Sequence, residues 1–311
     1  MEDKILGLHH ITAIAGSARR NFEFYTHTLG LRLVKKTVNF DDPATYHFYY
    51  GNETGAPGTI LTFFPWEGIG PGTQGTGMAT EIGYSAPLGS LEFWRKRLEQ
   101  FNIPVTGVME SFGEQYLPFN DPDGLMIKLI VPQPADNRKP WVTSEVTEQS
   151  AIRGFHSVTL MLRSVTPTAA ILTDIFGYRL LKQEGNRYRF VTEAIEDAAI
   201  VDIIEAPAAG PGRGRAGTNH HVAFRVKDDT ILMRFREKVL AKGLSITDKI
   251  DRNYFYSLYF REPGGVLFEL ATDNPGFETD EPLNELGTHL KLPVQYEKDR
   301  AAIEKTLPFL D

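Results

Sequence analysis

Two histidine pairs and one carboxylate are the residues whose types and spacing could do chemistry. His9 and His10 open the run LHHITAI, His220 and His221 open HHVAFRV, and Glu269 stands inside LYFREPGGVLFE, a charge where the strand is otherwise apolar. Left unpaired in a buried strand, such a carboxylate costs on the order of several kcal/mol. Two neutral imidazoles and one carboxylate hold a divalent cation and leave coordination positions open, the facial set of non-heme Fe(II), with Mn(II) a near competitor. Any one of these histidines alone reads more plainly as a strand-start residue satisfied by hydrogen bonds. Two pairs at equivalent points, together with a buried acid, point to a metal.

The elements that must position these residues follow from internal repeats. GLHHITA from Gly7 and GFHSVTL from Gly154 lie 147 positions apart, as do Gly30 of LGLRLVKK and Gly177 of FGYRLLKQ. A second register of 141 relates Pro122 of NDPDGLMIKL to Pro263 of REPGGVLFEL, and Leu91, Trp94 and Leu98 to Leu232, Phe235 and Val239. Four modules result, roughly residues 7–66, 77–132, 154–207 and 218–273. Each opens with an apolar strand-like run, continues as a helix and closes with three further strand-like runs. Ser17 is placed to cap the first helix, which ends at Gly30, and Thr166 with Pro167 starts the third, which stops at Gly177. The order is βαβββ, and the expected class is α+β: mixed curved sheets in two related halves, forming a cup. Residues 1–135 and 154–273 make the halves, a polar stretch at 136–153 links them, and a tail at 274–311 wraps the surface and ends in a short helix.

Aligning the modules places His10, Thr80, Ser157 and His221 together on the first strands, and Thr62, Lys128, Asp202 and Glu269 together on the last. The 48 residues from His221 to Glu269 span one module from first strand to last. Alternation puts Thr12 on the face of His10, with His9 and His220 facing away unless a bulge turns them inward. Asp202 rivals His10 as third ligand if the two C-terminal modules build the cup together, but Ser157 cannot replace a histidine. His27 and His47 read as structural, and the glycines of AAGPGRGRAG (208–217) as a flexible loop, not a phosphate cradle.

Modules of this kind, two of them opening with a histidine pair, resemble the vicinal oxygen chelate superfamily of glyoxalase I, bleomycin-resistance proteins and extradiol dioxygenases. The run from Leu258 to Gly265 followed by Glu269 is similar to the signature around the carboxylate ligand and active-site tyrosine of type I extradiol dioxygenases. Ordinary catechol-cleaving members carry a third-module His ligand and an acid/base His before that tyrosine, where this chain has Ser157 and Arg252. Both departures resemble the hydroquinone ring-cleaving dioxygenases, a similarity running from GLHHIT through YHFYYGNETGAPGT to NYFYSLYFREPGG. The resemblance implies His10, His221 and Glu269 as ligands of Fe(II), or of Mn(II), surrounded by Thr12, His9, His220, Arg252 and Tyr259. Arg252 would stabilise oxyanion charge, Tyr259 would hydrogen-bond substrate, and His9 or His220 would move protons or orient a ligand. The plainer readings are a surface ion pair of Arg252 with Asp251 or a neighbour, and core packing of Tyr259 with its hydroxyl satisfied. The implied activity opens a hydroquinone or related aromatic diol with both atoms of dioxygen. A glyoxalase-type lyase or isomerase and a non-catalytic binding protein are its rivals.

Composition bounds the rest. The chain has 311 residues, 41% hydrophobic and 23% charged, as in soluble globular proteins. A net charge of −7 without a basic stripe argues against nucleic acid. The absence of cysteine excludes disulfides, thiolate metal sites and a thiol nucleophile. MEDKILGLHH lacks the pattern of a signal peptide, and no window has the length of an apolar membrane span. The expectation is a cytoplasmic homo-oligomer whose partners are a small aromatic diol and dioxygen.

Overall fold

Each module folds in the order read from the repeats. The structure, a computed structural model, describes residues 3–310; Met1, Glu2 and Asp311, at the outer ends of the expected first half and tail, lie outside them. The first module comprises β1 (Leu8–Ala15), α1 (Ala18–Glu23), β2 (Arg32–Val38), β3 (Tyr46–Gly51) and β4 (Ile60–Pro65). The second comprises β5 (Met78–Ser85), α2 (Leu91–Gln100), β6 (Met109–Ser111), β7 (Glu114–Asn120) and β8 (Met126–Ile130). The third comprises β9 (Gly154–Leu162), α3 (Thr166–Asp174), β10 (Arg179–Glu184), β11 (Arg187–Val191) and β12 (Ile200–Glu205). The fourth comprises β13 (Thr218–Val226), α4 (Asp229–Ala241), β14 (Ile250–Asp251), β15 (Phe255–Arg261) and β16 (Leu267–Pro275).

The modules pair across the chain. One eight-stranded sheet runs β14-β15-β16-β13-β1-β4-β3-β2, uniting modules four and one; the other runs β10-β11-β12-β9-β5-β8-β7-β6, uniting three and two. Within a module the first strand lies parallel to the last, β1 on β4 and β13 on β16, while the modules join through antiparallel first strands, β1 on β13. A continuous core joins the two sheets, with Tyr25, Phe63, Trp94, Phe155, Phe176, Phe224 and Phe268 fully buried. On the opposite face of the first sheet, Val34, Tyr49, Ile60, Ala223, Tyr254 and Phe255 form a smaller cluster with Phe277 and Leu286 of the tail. The buried Lys35 ammonium holds that tail by ion pairs to Asp280 at 2.5 Å and Glu281 at 2.6 Å. The tail ends in α5 (Arg300–Thr306).

Three local expectations are corrected. Ser17 occupies the N-cap position of α1 but makes no side-chain cap; the Glu67 carboxylate, arriving just after β4, accepts from the Ala18 N–H at 2.7 Å instead. α1 then widens into a π turn at Phe24–Thr28 before Gly30 ends it at φ 66°. The glycine segment 208–217 is not a free loop: its backbone bridges residues 71–76, pairing Pro71 with Ala216, Thr73 with Arg213 and Thr76 with Pro211. A Cβ on Gly75 would sit 2.5 Å from the Gly210 carbonyl, so the glycines let two connecting loops touch.

Candidate metal centre

β1 and β13 run side by side in the middle of the first sheet, and each carries a bulge at its histidine pair. The register steps from Leu8 opposite Phe224 to His10 opposite Ala223, and from Thr12 opposite His221 to Ala13 opposite Asn219, leaving His9 and His220 as the extra residues. A bulge breaks strict alternation and brings consecutive side chains together. His9 Nδ1 lies 2.9 Å from His10 Nδ1, and His220 Nδ1 lies 2.8 Å from His221 Nδ1. The opposite nitrogens converge on β16. Glu269 Oε2 is 3.2 Å from His10 Nε2 and 2.8 Å from His221 Nε2, and the two Nε2 atoms are 3.4 Å apart.

A hydrogen bond behind the candidate ligand His10 sets its tautomer. His9 Nε2 faces the Thr272 carbonyl at 3.1 Å, so it carries the hydrogen and leaves Nδ1 as acceptor. His10 Nδ1–H therefore donates to His9, and His10 Nε2 is a bare lone pair aimed at Glu269 Oε2. His220 and His221 repeat the Nδ1–Nδ1 contact, and with His221 Nε2 turned to Glu269 as His10 Nε2 is, the Nδ1–H of His221 donates to His220. Ser257 donates to the other oxygen of Glu269, Oε1, while Oε2 has no hydrogen-bond partner despite complete burial. Burial alone would raise the Glu269 pKa, but the charged forms of His10 and His221 would outweigh it and hold the carboxyl well below its ordinary range. Burial lowers His221, although Glu269 opposes it, and lowers His220 to about 4. A buried, orphaned carboxylate oxygen facing two neutral nitrogen donors is satisfied by a cation, and among the described residues these three form the one such cluster of ligating side chains. The residues present fit a divalent metal.

Beside the cluster opens a cavity of about 480 Å³, walled by Phe40, Phe64, Trp66, Phe255 and Leu267, with Arg252, Tyr259, His47, His220, Thr12, Tyr49 and the carboxylates of Asp41 and Asp42 among its polar groups. A cavity of about 150 Å³ already holds benzene, so a substituted ring fits. Arg252 Nε lies 3.3 Å from the Tyr259 hydroxyl, whose ring packs edge-on against His221. Asp251 caps the Asn253 backbone instead of pairing with Arg252. Thr12 faces the cavity and bonds Thr62 at 2.8 Å. His9 lies behind His10 and does not line this cavity, whereas His220 does.

Other positions fall elsewhere. His27 is exposed on the π turn, and Asp202 lies in the second sheet, paired with Arg189 at 2.9 Å. His47, read from sequence as structural, lines the cavity, and Ser257, which orients Glu269, was not singled out. Both alternate onto the cup face of their strands, and that alternation was the available signal. Thr80 is also corrected. β5 carries its own bulge at Thr80, so Glu81, opposite Thr159, is the counterpart of His221, opposite Thr12. The first strands of modules two and four are offset by 140, and the register of 141 begins only at the helices. In the second sheet Glu81 pairs at 2.5 Å with Lys128, which is the counterpart of Glu269. The ammonium stands where the first sheet offers a cation site, and the remaining cavity there is only about 20 Å³.

The glyoxalase/bleomycin resistance protein/dioxygenase superfamily profile matches residues 7–129 and 154–270. The chain belongs to this superfamily. Among superfamily members it is 46% identical over 310 residues to the provisionally named ring-cleaving dioxygenase MhqO of Bacillus subtilis (strain 168), covering 99% of this chain and 98% of that one. It is 35% identical over 315 residues to chlorohydroquinone/hydroquinone 1,2-dioxygenase of Sphingobium indicum, covering 99% and 97%. A crystal structure of a provisionally assigned dioxygenase from Bacillus subtilis superposes with a TM-score of 0.95 at 44% identity, over 100% of this chain and 99% of that one. Glyoxalase I from Zea mays shares the superfamily fold at a TM-score of 0.65 and 16% identity, over 91% and 97%. Within the superfamily, then, the chain groups with proteins named as ring-cleaving dioxygenases. No helix among the described residues is long and apolar enough to cross a membrane.

Proposed function

We propose that this protein is an Fe(II)-dependent, extradiol-type dioxygenase that opens a hydroquinone or related aromatic diol, delivering both atoms of dioxygen to the product. The observation that carries the reading is the convergence of His10, His221 and Glu269 beside an aromatic-walled cavity holding Arg252 and Tyr259. A redox-active Fe(II) on these ligands would bring dioxygen and the diol together and pass electron density between them, a role Mn(II) also fills.

The chain's own groups divide the remaining work. Phe40, Phe64, Trp66 and Phe255 exclude water and hold the ring. The Arg252 guanidinium stabilises negative charge on the substrate oxygens, and its contact with Tyr259 orients the phenol to donate into the cavity. His9, bonded to Thr272 and away from the cavity, orients His10 and moves no substrate proton. His220, at the cavity wall, accepts from His221 at Nδ1 and so carries its hydrogen on Nε2, placed to donate a hydrogen bond to a substrate oxygen.

Anaerobic reconstitution with Fe(II), followed by oxygen uptake with hydroquinones and catechols in parallel, tests the reading. Uptake of one dioxygen per hydroquinone is expected, and slower or no uptake with catechol. No uptake with either, alongside metal-dependent turnover of a thiol hemithioacetal, would sink it in favour of a glyoxalase-type reaction. A cytoplasmic location and a homo-oligomeric state go with this proposal, and fractionation and light scattering test them.

A further inference from the structure

His47 has no part in the ligand set, yet it stands in the cavity wall between the rings of Tyr49 and Phe64, at centroid distances of 4.1 and 4.4 Å. Both its nitrogens are used. The Tyr49 hydroxyl lies 3.0 Å from Nδ1, and Nε2 lies 2.9 Å from Thr62 Oγ1, which in turn lies 2.8 Å from Thr12 Oγ1. Tyr49, Thr62 and Thr12 are 3%, 0% and 1% exposed, so water does not satisfy them. Thr62 occupies in module one the place that Glu269 holds in module four: it pairs with Thr12, two residues past His10, as Glu269 pairs with Ala223, two residues past His221.

The direction of this chain is determined. Tyr49 packs against Tyr254, Phe255 and Phe277 and has no other hydrogen-bond partner among the described residues. Its hydroxyl hydrogen must go to His47 Nδ1, since the reverse would bury an unspent O–H among aromatic rings. Burial keeps His47 neutral, and a neutral ring accepting at Nδ1 donates at Nε2. Thr62 therefore accepts from His47 and donates to Thr12. Thr12 has its acceptor engaged and its own hydrogen free, beside the ligands. Tyr49, which also lines the cavity, is only 3% exposed and has its hydroxyl committed to His47, so the chain sets polarity and does not conduct protons out of the site.

We infer that Tyr49, His47 and Thr62 are positioning residues that make the Thr12 hydroxyl an obligatory hydrogen-bond donor to an anionic ligand oxygen in the cavity, favouring diols bound as the phenolate. The inference deepens the dioxygenase reading and rests on it for the identity of the ligand class. A donor fixed before the ligand arrives costs no reorientation when the anion binds, and bonds to charged oxygens are the stronger ones.

4-Nitrophenol tests this without turnover, because its visible absorbance separates phenolate from phenol. The Fe(II)-loaded full chain is titrated anaerobically, with iron content and circular dichroism measured on every protein. Wild type is expected to bind the probe as phenolate. Thr62→Val, His47→Leu and Tyr49→Phe should each weaken binding about tenfold and raise the apparent pKa of the bound probe, at unchanged iron content. His47→Gln, which can accept from Tyr49 and donate to Thr62, should restore most of what His47→Leu loses. Binding to wild type as the neutral phenol, or equal affinity across the folded variants, would overturn the inference, and three independent variants keep it exposed if one fails to fold. Since the titration needs no dioxygen, a failed oxygen-uptake assay with normal phenolate discrimination would count against the reaction and not against the relay.

Discussion

Replacing Glu269 by Gln should move stability in opposite directions with and without metal. Imidazoles are ordinarily neutral at pH 8. In the metal-free protein the Glu269 Oε2 then faces two nitrogen lone pairs at 3.2 and 2.8 Å, because both Nδ1 hydrogens are spent on His9 and His220. Glutamine keeps Oε1 for the Ser257 hydroxyl and presents an N–H₂ group to those lone pairs. Two hydrogen bonds at about 1 kcal/mol each replace a repulsive contact, a gain of roughly 2 kcal/mol before counting the relief of an unpaired buried charge. For a chain of 311 residues, an unfolding entropy of about 2.1 cal/mol/K per residue converts this to a Tm rise of about 3 °C. With Fe(II) or Co(II) in excess the order reverses. Wild type is stabilised by about 2.7 kcal/mol or more once free metal exceeds a hundred times its Kd, and the variant gains nothing comparable. Calorimetry at pH 8, with chelator and then with metal under anaerobic conditions, reads both arms. A metal-free variant that melts below wild type would refute the tautomer assignment, since it would mean that the Nε2 atoms carry the hydrogens.

Other expectations follow from single contacts. Ser257→Ala removes the group that orients Glu269 and should weaken metal affinity by about ten- to a hundredfold in chelator competition, with the fold intact. Lys128→Ala strands the Glu81 carboxylate in the second sheet, where only the Arg187 contacts at 3.3 Å remain; a loss of roughly 3 kcal/mol in urea unfolding, with metal stoichiometry unchanged, is expected. Glu114 on β7 would be raised by burial, but His156 and Arg189 prevail and hold it at about 2. Its folded pKa is thus depressed, so its stabilisation is full above about pH 4.5 and is lost as pH falls toward 2. Glu114→Gln should flatten that acid limb in a pH series of denaturation midpoints. Tyr259→Phe should lower kcat at unchanged iron content, because the hydroxyl meets Arg252 and no ligand atom.

Much of the architecture was legible because duplication writes the same physics four times. Strand-like runs, glycine stops after helices and the Pro-Gly turn before Glu269 recur at fixed offsets, and local pattern is enough to read each of them. Thr80 shows where this fails. One residue's difference in spacing between β5 and α2, invisible to an offset taken from the helices, passed the equivalent position to Glu81. His47 shows another limit. Alternation in TYHFYY assigns His47 to one face of its strand, but whether that face walls a cavity or packs in the core depends on which strand lies beside it.

By itself the sequence determined the βαβββ units, the histidine pairs and the acid, all set by residue type and short-range periodicity. Tertiary structure decided which modules share a sheet. The antiparallel pairing of β1 with β13 brings His10 to His221 across 211 residues and leaves Asp202 to Arg189 in the other sheet. It also decided which nitrogen of His10 is free, because that rests on the Thr272 carbonyl behind His9, contributed by a strand 263 residues further along the chain. Ligand types are local properties of a chain, whereas their convergence depends on strand order, register and bulges, which only the packed sheets supply.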